Sequence, residues 1–96
     1  MRTMMHVRIP VEAGNRAIAD GSLPKTLESV MESLQPEAVY FPAGSGERSV
    51  LVFFDLAEAA DIPSVAEPFF MQFNASVEIS PVMNAEDMQA ALAKMG

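Results

Sequence analysis

The stretch Ser49-Val50-Leu51-Val52-Phe53-Phe54-Asp55-Leu56 decides the fold. Its residues are β-branched and aromatic, the types that fit a pleated, half-buried surface. Alternation along a strand sends Val50, Val52 and Phe54 to one face and Leu51 and Phe53 to the other. A strand with one solvated face alternates apolar with polar. This one is apolar at both parities until Asp55, so it reads as a central strand covered on both sides. A chain of 96 residues covers one face with its own helices, and hardly two. The second cover is expected to be another copy of the same chain.

Working outward, Gly44-Ser45-Gly46 forms a hairpin turn back to a short strand, Glu37 to Pro42, with Val39 and Phe41 on one side and Ala38 and Tyr40 on the other. Ser22 to Gln35 is the clearest helix. Leu23, Leu27, Val30, Met31 and Leu34 make one helical stripe, Ser22 is placed to cap it, Pro24 sits in its first turn, and Pro36 ends it. Thr3 to Ile9 reads as a strand with Thr3, Met5, Val7 and Ile9 on the apolar face and Met4, His6 and Arg8 on the other. Val11 to Ala19 reads as a weak helical turn or two, because Gly14 lowers helix propensity. Asp20-Gly21 marks a turn.

After the central strand, Ala57 to Asp61 is a loop or a first helical turn. Ile62 to Phe73 is a helix with Val65, Phe69 and Phe73 inward, and Pro68 is expected to bend or delay it. Asn74 to Met83 returns to a period of two, with Val77 and Ile79 facing one way and Ser76, Glu78 and Ser80 the other. Pro81 marks an edge or a bulge. A short helix from about Ala85 to Met95 closes the chain, capped by Asn84, with Met88, Ala91, Leu92 and Met95 as its stripe.

The order is βαββαβ plus a C-terminal helix, in one domain spanning residues 1–96. This is the α+β, ferredoxin-like pattern, with strand order 4-1-3-2 and the main helices on one face of the sheet. Apolar residues on the other face need a partner, because large exposed apolar patches are rare in monomers. A sheet-to-sheet homodimer, a dimeric α+β barrel, is the expected assembly.

Composition narrows the function classes. Half the residues are hydrophobic and a fifth are charged, which argues for a folded domain. There is no cysteine, so disulfides, thiolate nucleophiles and cysteine-bound metals are excluded. The formal charge of −7, with no basic cluster, repels phosphate backbones and argues against nucleic acid. No segment approaches the roughly 20 apolar residues of a membrane helix. No apolar run of signal length separates Arg2 from Arg8 and Pro10. The expectation is a cytoplasmic protein that does not bind membranes.

Several stretches resemble a family of uncharacterised small bacterial proteins: Arg8-Ile9-Pro10, Glu12-Ala13-Gly14-Asn15-Arg16-Ala17 and Asp20-Gly21-Ser22-Leu23-Pro24-Lys25, then Glu67-Pro68-Phe69-Phe70, Asn74-Ala75-Ser76-Val77-Glu78 and Pro81-Val82-Met83. Such proteins look like members of the dimeric α+β barrel superfamily. The resemblance implies the dimer and brings no reaction with it. That superfamily includes cofactor-less monooxygenases, haem-degrading and chlorite-processing enzymes, and stress proteins without known chemistry, and fold does not choose among them. No catalytic motif of the superfamily matches residue by residue.

The candidate site follows from strand pairing. The first strand neighbours the last, so His6 and Arg8 share the outer face with Glu78 and Ser80, and Tyr40 joins from the second strand. One reading is a small polar pocket between subunits, with His6 as acid or base and Arg8 holding an anion. The other is an interface salt bridge between Arg8 and Glu78, with His6 a satisfied hydrogen-bonding residue. Glu67 beside Pro68 and two phenylalanines either lines a pocket or is a solvated carboxylate over core rings. Asn15 and Arg16 form either an anion-binding nest or a plain surface turn. Met4, Met71 and Met83 either line an adaptable cavity or fill the core. Gly44 and Gly46 lack the strand and helix of a phosphate loop. One histidine without clustered carboxylates gives no metal site, and it is a thin basis for haem, so no cofactor is expected.

Three readings remain in view: a homodimeric module that binds or senses a small organic ligand; a cofactor-independent enzyme, monooxygenase-like or isomerase-like, acting on a small apolar substrate through His6 with Arg8 or Tyr40; and a purely structural dimer.

Overall fold

A computed structural model describes residues 1–96. The elements run β1 (Arg2–Ile9), α1 (Val11–Ala19), α2 (Ser22–Leu34), β2 (Ala38–Tyr40), β3 (Arg48–Asp55), a 3-10 turn (Ala59–Asp61), α3 (Ile62–Phe73), β4 (Ser76–Pro81) and α4 (Ala85–Met95). The protein is α+β. Its four-stranded sheet has the order β2-β3-β1-β4, and every neighbouring pair is antiparallel. This arrangement is compatible with a ferredoxin-like fold.

The two longest strands, β1 and β3, are central. Their register sets Thr3 against Phe54, Met5 against Val52 and Val7 against Val50. Met5, Val7 and Val52 are 0% exposed and Phe54 1%. Ala13 and Ala17 of α1, Leu23 of α2, and Phe69 and Phe73 of α3 complete the cluster over this inner face. The outer face is different: Met4, His6, Leu51 and Phe53 are all only half-buried.

Local chemistry explains where the elements depart from expectation. The first crossover holds two helices, and α1 is a full nine-residue helix rather than a loose turn. Gly14 is buried, and a Cβ there would lie 2.7 Å from Arg48 Nη1. The glycine therefore admits the Arg48 side chain, which donates from Nη1 to Asn15 Oδ1 at 3.0 Å. Ser22 does not cap α2. Gly21 occupies the cap position with φ of 78°, and the Asp20 carboxylate accepts from the Ser22 N–H at 2.8 Å. Strand β2 is only Ala38–Tyr40, shorter than the expected Glu37 to Pro42. The Pro42 carbonyl turns away to accept from the Ser49 hydroxyl at 2.9 Å. Strand β4 starts after Asn74, whose φ of 53° makes it the left-handed cap of α3.

Helix α3 runs through Pro68 without a break. The proline gives up one backbone bond, and Ala66, Phe69 and Phe73, all buried, hold the helix on the sheet. In α4 the Asn84 side chain accepts from the Asp87 N–H at 2.8 Å, while the Asn84 N–H donates to Asp87 at 3.0 Å. This reciprocal cap defines the helix start. No helix is long and apolar enough to cross a membrane.

Candidate functional site

Strand register builds the outer face row by row. In the middle row Tyr40 of β2 stands opposite Leu51 of β3, Leu51 opposite His6 of β1, and His6 opposite Glu78 of β4. One row along stand Ala38, Phe53, Met4 and Ser80. On the other side Arg8 lies between Ser49 and Ser76. The sheet therefore gathers His6, Arg8, Glu78 and Ser80 on β1 and β4. Tyr40 shares their face but is separated from His6 by the full width of Leu51. It is 60% exposed and packs edge-on against Phe53, with ring centroids 6.3 Å apart.

Polar contacts on this face are few. Arg8 Nη1 lies 3.9 Å from Glu78 Oε1, a diagonal ion pair with both side chains well exposed. The expected Arg8–Glu78 contact thus forms within one chain. At that distance and exposure it contributes little to stability. The Ser80 hydroxyl donates to the Pro81 carbonyl at 3.0 Å. His6 Nε2 is enclosed by its surroundings and has no hydrogen-bond partner within the chain. It does not fit the description of a satisfied histidine. No group of three or more His, Asp or Glu side chains is placed to hold a metal ion.

Other expected site residues fall elsewhere. Asn15 and Arg16 lie inside α1, so they form no backbone nest, and Asn15 receives Arg48 instead. Glu67 is exposed on α3 while Phe69 is in the core. Met71 and Met83 are 80% and 60% exposed, and Met4 lies on the outer face, so the three share no cavity. Gly44 and Gly46 belong to the turn before β3, and Gly46 has φ of 80°.

Two open grooves lie away from the outer face. One, of about 630 Å³, runs between α2 and α3. Ser22, Thr26, Ser29 and Ser33 line it from α2, and Ser64 and Gln72 from α3. The Thr26 hydroxyl bridges it by donating to Gln72 Oε1 at 2.7 Å. Sequence reading missed this polar seam, although the spacing of Ser22, Thr26, Ser29 and Ser33 marks one helical face. The other, of about 560 Å³, lies under the turn before β3, where Val11, Leu23, Leu27 and Phe41 contribute its apolar lining.

At one corner of the outer face, Arg2 pairs with Glu37 across the sheet and lies 3.6 Å from Asp87 of α4. The hydrogen bond and charge of Glu37 raise the Arg2 guanidinium above its ordinary value, with Asp87 and Glu86 adding to the effect.

No protein-family model matches the chain, and no curated protein matches it either.

Proposed function

We propose that the protein is a homodimeric small-molecule-binding module. Two copies pack with their outer sheet faces together, and a small organic ligand lies between them. One observation carries this reading. His6 Nε2 is enclosed and unpaired in the middle of a face that its own helices do not cover. An enclosed nitrogen without a partner costs roughly 1–3 kcal/mol. A hydrogen bond from a ligand or a second copy removes that cost.

The surroundings suit a small ligand with an apolar body and one anionic or hydrogen-bonding group. Met4, Leu51 and Phe53 supply apolar surface beside His6. Arg8 supplies a positive charge, Glu78 an acceptor, and Tyr40 and Ser80 hydroxyls. A few polar groups in an apolar setting is the usual composition of such sites. The resemblance to dimeric α+β barrel proteins supports the same packing.

Equilibrium sedimentation of the purified chain at micromolar concentration is expected to return a dimer, and a monomer would sink the reading. Thermal-shift measurements with a panel of small aromatic and aliphatic carboxylates are expected to find a stabilising ligand. That stabilisation should disappear in His6→Ala and in Arg8→Ala. A ligand that stabilises both variants as well as the parent chain binds somewhere else.

A further inference from the structure

The inner row of β3 runs Arg48, Val50, Val52, Phe54, and its first member is a cation. Arg48 stands opposite Ile9 of β1, at the end of the sheet where the groove under the turn before β3 opens. The groove's volume of about 560 Å³ falls within the roughly 300–1,000 Å³ of small-molecule sites. Ile9, Leu23 and Val50 line it and are buried, which makes them an apolar floor. Val11, Leu27 and Phe41 line it higher up, and Val11 and Phe41 are 51% and 63% exposed.

The charge in this groove is uncompensated. The chain has 13 acidic residues against 6 Lys and Arg. Arg2 reaches Glu37 and Asp87, and Arg8 reaches Glu78. Arg48 has no carboxylate within 4.0 Å. A neutral group holds it instead: Nη1 donates to Asn15 Oδ1 at 3.0 Å, and Asn15 also lines the groove. Gly14 makes this position possible, because a Cβ there would lie 2.7 Å from the same nitrogen. A guanidinium carries five donors in a fixed fork that matches a carboxylate. Asn15 uses one of them and leaves the positive charge unneutralised.

We infer that this groove binds a monocarboxylate with an apolar body, of the kind a medium-chain acyl carboxylate represents. The body lies on Ile9, Leu23 and Val50, and the carboxylate takes the remaining donors of Arg48. Charge complementarity selects this occupant over a neutral or cationic one of the same shape. Glu47 also lines the groove and pairs with no cation, so a second negative charge on the ligand would meet it. The site is separate from the outer face. Ile9, Arg48 and Val50 lie on the helix-covered side of the sheet, and His6 and Arg8 on the other.

Calorimetric titration with octanoate, octylammonium and acetate at neutral pH tests the assignment. Octanoate is expected to bind, and the other two are not: octylammonium lacks the charge and acetate lacks the body. Arg48→Met is expected to weaken octanoate roughly tenfold or more. Gly14→Ala probes the geometry. The new methyl group displaces the end of a flexible side chain, and alanine suits a helix better than glycine. Its thermal midpoint should therefore be no lower than the parent chain's, while octanoate binds severalfold more weakly. His6→Ala and Arg8→Ala should leave octanoate affinity unchanged. Octylammonium binding as tightly as octanoate, undiminished binding in Arg48→Met, or no octanoate binding at all overturns the inference. So does octanoate binding that is lost in His6→Ala and kept in Arg48→Met, which puts the ligand on the outer face. These two arms decide the matter whatever Gly14→Ala does to stability. A monomer in sedimentation removes the facing sheets and leaves the groove untouched.

Discussion

His6 and Glu78 stand directly opposite each other on β1 and β4, on the uncovered face of the sheet. Even so, Glu78 leans toward Arg8, at 3.9 Å, and His6 Nε2 has no partner in the chain. Replacing His6 by Leu removes an enclosed polar atom without opening a large cavity. Without ligand, His6→Leu is expected to raise stability by about 1 kcal/mol, read as a higher urea midpoint at unchanged slope. Glu78→Gln, at an exposed position, should move the midpoint little. A large loss in His6→Leu would mean that the imidazole is satisfied in solution.

Phe53 and Phe54 are neighbours in sequence on opposite faces. Phe54 is 1% exposed within the core. Phe54→Ala is expected to lose about 3–5 kcal/mol at any protein concentration. Phe53→Ala should lose much less in the isolated chain and act mainly on assembly. Urea titrations at two concentrations a hundredfold apart separate the two effects. Equal, concentration-independent losses would mean that the outer face is not an interface.

Gly21 joins α1 to α2 with φ of 78°, and a Cβ there meets nothing within 4 Å. Any penalty for a side chain is therefore a backbone penalty. Gly21→Ala is expected to lose about 1–2 kcal/mol. Gly21→Asn should lose less, because asparagine tolerates the left-handed region. Calorimetry that finds both variants as stable as the parent chain would show that the junction relaxes to another turn.

Asp20 gives the fold an acid-sensitive point. The Ser22 hydroxyl, followed by the Ser22 N–H, holds its carboxyl below the ordinary value of 3.8, and Arg16 adds to this. A carboxyl lowered in the folded state contributes stability above its unfolded pKa and loses it as the pH falls through the folded one. The contribution should therefore be intact at neutral pH and decline below pH 3.8. Asp20→Asn should remove that part of the slope, and denaturation midpoints measured between neutral and acid pH check it. Parallel pH profiles for the two chains would leave Asp20 without this role.

Much of the architecture was legible because periodicity is local. The inward set Met5, Val7, Val50, Val52 and Phe54 follows from alternation alone. The start of α4 follows from Asn84 and its cap. Reading failed where a distant residue decides a local outcome. Gly14 in isolation reads as a helix weakness, yet Arg48, on a strand far along the chain, fills the space a side chain there would need. A local backbone choice also escapes the reading: Ser22 has the residue type of a cap, but the left-handed Gly21 occupies that position and the Asp20 carboxylate accepts from the Ser22 N–H.

The candidate site divides the same way. Spacing along β1 and β4 sufficed to place His6, Arg8, Glu78 and Ser80 on one face. Only the folded sheet decided that Leu51 stands between His6 and Tyr40, that Arg8 takes Glu78, and that His6 Nε2 is left unpaired. By itself, the sequence determined which side chains point which way and in what order the strands lie. The tertiary structure decided which of them touch, because register between strands far apart in the chain is set by the packing of the whole inner face.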